Sequence, residues 1–463
     1  MVSLIKGSIK NWFSQLMTKF PLATSASLLW CISLILNLFS QIELKQLILL
    51  TTKTEFFLHF LSRICILCIP LFLICSLLIR VYKSKVQKLI IYITTNIIII
   101  WYTLDNLIWK NWQTDQLQIN QEFFIILTIL ILSVTFIPFI QDSIRGFWVA
   151  NNILFIKLLK VITYCLVLLM MLNITLLFID FIIQIKIDFW VYQLGFILIC
   201  CGFGPLYFLA QIPNFKTNPD EDVAFPKFYI LFTSIYLLPL SVISIGGMYG
   251  YIISLLITKS LPTMEIQILF VVVASIIIFL MFQFELLSTK FKSKLITIFL
   301  RYIYISILPL ATLFILQLSY YLFNKGITEF WYLMWIYIGW IIGVCLYFIK
   351  SQKRDIRIIP ISLCITLLVL LIGPLKPYNI SVNSQYKQLI NILVQQEIIN
   401  ENKKIFLAKK HVIKSNEKEI IKDKIYFLES HNKLDLLQKH YPYPIDKQAI
   451  TIQRIIQDLG LDI

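Results

Sequence analysis

The sequence predicts an all-α polytopic membrane protein of about eleven transmembrane helices, followed by a small soluble α/β domain at its C-terminal end. Three observations lead there. Hydrophobic residues make up 59% of the chain and charged residues only 14%. Eleven apolar stretches recur along it, most of them about as long as a bilayer-crossing helix. The composition then turns polar abruptly near Lys376.

A mean hydropathy of +0.81 means more apolar surface than one soluble core could bury, so a bilayer is the natural solvent and partner. A soluble domain carries about 25% charged residues; here they are fewer and clustered. A net charge of +16 over 463 residues raises nucleic acid as a partner. The Lys and Arg, however, sit in short loops between apolar runs and in a mixed-charge tail, where they set topology, and no nucleic-acid partner is expected.

The stretches are 22–41, 56–79, 87–108, 122–140, 155–183, 189–211, 228–257, 265–288, 295–323, 330–349 and 356–374. A helix needs roughly 20 residues to cross about 30 Å of hydrocarbon. Backbone groups in lipid must be satisfied internally, and no alternating ten-residue strands of a barrel occur, so these are read as helices. Lys6, Lys10 and Lys19 precede the first, with no small-residue cleavage site behind it, which reads as an anchor.

Orientation follows from the loops. Arg80, Lys83, Lys85 and Lys88 follow the second stretch, Arg145, Lys157 and Lys160 the fourth, Lys290, Lys292 and Lys294 the eighth, and Lys350, Lys353, Arg354 and Arg357 the tenth. Odd-numbered exits hold few cations, each offset by acids, as Glu43 and Glu55 offset Lys45 and Lys53. The loop after the sixth, running from Pro213 to Asp222, is acidic, but acids weigh little in the positive-inside rule. This places the N-terminus in the cytoplasm and the C-terminus outside.

All nine cysteines lie inside apolar stretches. Cys65 and Cys68 form a C-x-x-C in a helical run without a second ligand pair, so they read as core thiols, and neither a metal nor a cofactor is expected. Pro70, Pro138, Pro205, Pro239, Pro309 and Pro360 are read as kinks, and the small surfaces Gly246-Gly247-x-x-Gly250 and Gly339-x-x-x-Gly343 as sites of close packing. Trp and Tyr at stretch ends, such as Trp109, Trp112 and Trp190, read as interfacial belts.

Ionisable residues within membrane helices are functional candidates by default. Here they are His59 and Arg63, one helical turn apart, with Arg145, Asp180, Glu285 and Arg301. All lie near stretch ends, where anchoring at the interface explains them and a mid-bilayer proton relay does not. No P-loop, H-E-x-x-H, G-x-S-x-G or dinucleotide fingerprint occurs, so no catalytic residue is assigned.

The division is therefore 1–375, a helical bundle, and 376–463, a soluble domain. In the latter a helix is expected from Asn383 to Ile399, a short strand or hairpin over 404–408, a helix starting at Ser415 or Asn416, and a last helix from Asp446 to Leu459 closed by Gly460. Its lysines, Lys418, Lys422 and Lys424 among them, interleave with Glu and read as a solvated face able to meet anionic lipid.

The last helices carry a further order of motifs: Asn324-Lys-Gly-Ile-Thr-Glu329, then Lys353-Arg-Asp-Ile-Arg-Ile-Ile-Pro360-Ile-Ser-Leu, then Ile372-Gly-Pro374, then Ile380-Ser-Val-Asn-Ser-Gln-Tyr-Lys-Gln-Leu389. Over about 225–463 this order resembles a family of bacterial inner-membrane proteins catalogued as domain of unknown function 4153. Where the family often has G-P-W-G, this chain has Gly373-Pro-Leu-Lys376. The resemblance implies a bacterial inner membrane and brings no activity. Abundant Ile, Lys and Asn fit an AT-rich genome, which leaves an organellar membrane open. The function expected is a non-enzymatic envelope protein for interaction, sensing or assembly, with an envelope protein or lipid partner reached through 376–463. The alternative is a transporter or envelope-polymer transferase with a substrate path between helices.

Overall fold

The computed structural model describes residues 14, 16–41, 52–82, 84–108, 116–213, 232–258, 264–291, 294–351, 355–396, 398, 415–440 and 455–456. Those residues are helical with no strand, and ten helices are long and apolar enough to cross a membrane. They are α1 Pro21–Gln41, α2 Thr52–Val81, α3 Lys85–Ile108, α4 Gln116–Phe136, α5 Ile144–Phe178, α6 Phe189–Gln211, α7 Leu238–Thr258, α8 Met264–Phe291, α9 Lys294–Lys325 and α10 Glu329–Lys350. The expected eleventh span is a shorter helix, α11 Ile358–Val369, because the chain turns at Leu370 and enters a 3-10 turn over Gly373–Leu375, where Pro374 removes a donor. The tail continues as α12 Pro377–Gln395 and α13 Ser415–Ser430.

Three segments widen into π-helix: Ile179–Ile183, Ile197–Phe203 within α6, and Phe232–Leu237 before α7. Pro205 and Pro239 explain the last two. Each proline would clash with the carbonyl four residues back, and a wider turn relieves the clash. Pro138 ends α4 in a 3-10 turn, and Pro360 sits in the first turn of α11, where proline is tolerated. Pro70 and Pro309 lie inside the long helices α2 and α9.

The chain divides into two units. The first comprises Met1–Ile108, Ile126–Phe225 and Asp355–Cys364. In it α1 packs along α2 and the π segment of α6. Its packed face is small: Ala23, Ala26, Ser27 and Cys31 are buried, and the Thr24 and Ser27 hydroxyls donate to the Phe20 and Ala23 carbonyls, 2.7 and 2.8 Å away. Such residues let helix backbones approach without leaving a hydroxyl unsatisfied. Cys65 and Cys68 are buried in α2.

The helix ends of this unit gather by parity. At one end Lys19 Nζ donates to Ile212 O (3.1 Å), and Arg80 donates to Lys19 O (2.6 Å) while lying 4.4 Å from the Phe20 ring centre. Gln141 donates to the Tyr82 hydroxyl (3.0 Å), and Arg357 donates to Ile140 O and Asp142 O as well as to Asp355. Asn37 and His59, from the opposite ends of α1 and α2, stand 3.1 Å apart. Along α5 the side chains of Leu166, Met170, Met171, Ile174 and Leu177 are exposed, a face that hydrocarbon tolerates and water does not.

The second unit comprises Trp109–Ile125, Pro226–Arg354 and Ile365–Ile463. Helix α9 packs along α10, and α8 joins them. Several polar side chains within the packing are paired: Gln267 donates to Gln317, Trp335 to Ser319 (2.8 Å), and Tyr249 to Ser306 O (2.7 Å). The tail belongs to this unit. Its core sets Tyr378, Val382, Leu389 and Leu393 of α12 against Ile421, Ile425 and Leu428 of α13, with Ile398, Leu437 and Ile455. The spacing on both helices is that of one apolar face. This corrects the expected α/β character: two amphipathic helices already bury each other's faces. The strand expected at 404–408 and most of the helix expected from Asp446 lie outside the described residues.

Because Ser27 is fully buried where α1 meets its neighbours, Ser27→Leu is expected to destabilise the protein by about 1–3 kcal/mol through overpacking. Leu29→Phe, at a side chain half exposed to lipid, is expected to leave stability unchanged. Thermal unfolding in detergent micelles compares the two.

Candidate functional site

Residues 325–328 turn the chain from α9 into α10, and the tail closes over that turn. Gly326 has φ +92°, a left-handed conformation that only glycine adopts freely. A Cβ there would also stand 2.7 Å from Gln385 Nε2 and 2.8 Å from Gln388 Oε1. Glycine is therefore required by both the backbone and the neighbouring side chains.

One face of α12 binds the turn's backbone. Ser384 Oγ accepts from the Ile327 N–H (3.0 Å), Gln385 Nε2 donates to Ile327 O (3.2 Å), and Gln388 Nε2 donates to Phe323 O (3.0 Å). Lys424 reaches in from α13. Its buried ammonium donates to Lys325 O (3.1 Å), Gln385 Oε1 (2.8 Å) and Gln388 Oε1 (2.8 Å), so three hydrogens meet three acceptors. Burial, and then repulsion by Lys325, pull its pKa down to about 8 against a smaller upward pull from Asp423.

Beside this clasp lies Glu329, the first residue of α10, where a carboxylate suits the positive end of the helix. Ser381 Oγ donates to Glu329 Oε1, and His431 Nε2 stands 2.7 Å from the same oxygen. His431 is wedged in place by the Phe427 ring, stacked 4.0 Å away, and the Tyr378 hydroxyl donates to its carbonyl (2.7 Å). Where α12 begins, Lys376 Nζ meets Glu122 Oε1 at 2.9 Å, an oxygen that also accepts from Gln118.

Serine, histidine and glutamate together bring hydrolases to mind, yet the order differs. A nucleophilic serine gives its proton to an imidazole, which a carboxylate orients. Here Ser381 bonds the carboxylate, and its side chain is fully buried. The arrangement fastens α10 and α12 to the residue that follows α13 and lacks the serine-to-imidazole contact. Among the described residues, no three His, Cys, Asp or Glu side chains are grouped to hold a metal ion.

The residues singled out by charge lie elsewhere. His59 and Arg63 share α2, with His59 beside Asn37 and Arg63 half-buried. Arg145 is exposed in the first turn of α5 and Asp180 exposed in the π turn that follows it. At about 1.5 Å per residue these two are roughly 50 Å apart, so they form no common site. The side chains of Glu285 on α8 and Arg301 on α9 lie outside the described residues. Lys424, read as one of a solvated set, is buried, and this is a correction. It shares the apolar side of α13 with Ile421, Ile425 and Leu428, a spacing visible in the sequence. His431 carries no such signal. No family model, no curated protein and no solved structure matches the chain.

Gly326→Ala is expected to loosen the clasp by at least about 1–2 kcal/mol, the cost of a left-handed alanine, before any displacement of Gln385 or Gln388. Faster proteolytic cleavage of the tail in purified full-length protein reads the effect. Lys424→Met leaves three acceptors without their donor and is expected to cost about 1–3 kcal/mol. The docked amine, at about 8, binds its proton less tightly than a free one at 10.5. Its contribution to stability is thus smallest below pH 8 and grows as pH rises toward 10.5. Thermal melts between pH 8 and 10 should lose that rise in Lys424→Met.

Proposed function

We propose that this chain is a non-enzymatic multi-pass protein of a bacterial inner membrane that holds a folded helical domain outside the membrane for interaction, sensing or assembly in the envelope. The observation that carries the reading is the clasp: Ser381, Ser384, Gln385, Gln388, Lys424 and His431 of the tail all engage the residues around the 325–328 turn. A domain fixed by so many buried polar contacts is a positioned part of the protein.

An outside tail is supported by the same contacts. The turn at 325–328 follows an odd-numbered crossing, the side that carries few unmatched cations, whereas Lys350–Arg357 at the far end of α10 is basic. Tyr332, in the first turn of α10, has its hydroxyl 3.4 Å from Leu375 O, so the chain that leaves α10 at Lys350 is back beside the start of α10 by Leu375. Residues 358–375 would cover about 27 Å at helical rise. On this reading α11 and its turn complete an eleventh crossing. Membership of the family catalogued as domain of unknown function 4153 is proposed on the same ground, since the G-I-T-E and S-x-x-S-Q motifs that carry the resemblance are the ones that meet in the clasp.

Alkaline phosphatase fused after Ile463 is expected to be active, and a fluorescent protein at the same point dark. A fluorescent fusion with an inactive phosphatase would overturn the orientation. Deleting 376–463 is expected to leave insertion intact while exposing the 325–328 turn to added protease in spheroplasts.

A further inference from the structure

We propose that the tail is latched by a proton, held between Glu329 and His431, so that its attachment to the membrane helices responds to pH on its own side of the bilayer. The inference rests on the docked tail proposed above and assigns its regulation.

His431 Nδ1 lies 2.7 Å from Phe427 O, and a carbonyl oxygen only accepts, so this nitrogen carries a hydrogen. His431 Nε2 lies 2.7 Å from Glu329 Oε1, and an ionised carboxylate also only accepts. A neutral imidazole has one N–H, and these two contacts need two. Ser430 Oγ, 3.0 Å from Nδ1, does not relieve the shortage, because it donates to Phe427 O at 2.8 Å and leaves the short Nδ1 contact to that carbonyl in place. The site therefore holds one proton more than a neutral histidine beside a carboxylate, as imidazolium with carboxylate or as imidazole with carboxylic acid.

The surroundings make that proton consequential. The side chains of His431 and Glu329 retain only 7% and 15% of their exposure, so water cannot readily replace a lost partner. Ser381 donates to the same Oε1 and cannot substitute on the nitrogen. Charged groups on the packed elements include Lys424, committed to its three acceptors, Lys325 at the end of α9, Lys387 on the exposed side of α12, Asp423 and Glu429, exposed on α13, and Lys433, whose Nζ stands 6.0 Å from the Tyr378 ring centre. None of these is bonded to the pair. When the proton leaves, a nitrogen lone pair faces a carboxylate in a buried contact, and the joint between α10 and α13 becomes repulsive. Glu329 belongs to a membrane helix and His431 to the tail, so the latch acts where the two parts are joined.

Hydrogen exchange of full-length protein in micelles, corrected for the intrinsic pH dependence of amide exchange, tests the latch through the amides of Ser415–Ser430. Protection is expected to fall about tenfold or more between pH 5.5 and 8.5, as one-proton linkage allows. In Glu329→Gln the amide donates to a neutral imidazole, and in His431→Gln an amide donates to the carboxylate. Both variants are expected to stay protected with a flat pH response. Protection in the wild type that does not change with pH would overturn the latch and leave the docked tail standing. A pH response unchanged in both variants would also overturn it. Absence of protection at every pH would overturn both the latch and the docking on which it rests.

Discussion

Hydrocarbon offers no hydrogen bonds, and that constraint organises nearly everything in this molecule. Each backbone group there must find its partner within its own helix, which is why the long apolar stretches are helices. The same constraint disciplines the side chains. Hydroxyls and amides inside the bundle turn back on the carbonyl three or four residues earlier, as Thr24, Ser27, Ser76 and Asn152 do, or pair across helices, as Gln267 does with Gln317. At Pro138, Pro205 and Pro239 the helix stops or widens, while α2 and α9 continue through Pro70 and Pro309. The densest pattern of inter-element polar contacts described above, the clasp, is built at helix ends.

Helix boundaries were most legible where one residue marks them. The stretch expected at 22–41 is observed as Pro21–Gln41, because proline suits the first turn, and 330–349 is observed as Glu329–Lys350, bounded by its own charges. Hydropathy misled in three places. Arg145, Lys157 and Lys160 resembled loop residues, yet charged side chains do not interrupt a helical backbone, and α5 runs through all three. The apolar run at 356–374 concealed the end of α11 at Val369. The helix expected from Asn383 starts six residues earlier, at Pro377, since proline suits a first turn.

The site was half legible. The turn residues and the S-x-x-S-Q face stood out as motifs, and glycine, serine and glutamine there are explained by backbone contacts that only they can make. Their partners Lys424 and His431 lie roughly a hundred residues beyond the turn. Periodicity describes one helix at a time and carries no information about which helices meet. A lysine among glutamates looks solvated until a neighbouring element supplies three oxygens.

The helix that begins at Ile144 and ends in the π turn at Ile183 is 40 residues long, close to 60 Å, about twice the thickness of the hydrocarbon. Its cations all fall within the first seventeen positions, and the charge-free run from Val161 to Ile179 matches the apolar layer. The part before Val161 continues the same helix without a break and buries Phe147, Trp148, Ala150, Asn152 and Leu154. A rod of this kind has no hinge at the interface at which to dissipate a tilt. The exposed span and the buried residues Phe147, Trp148 and Asn152 at its base thus belong to one uninterrupted element.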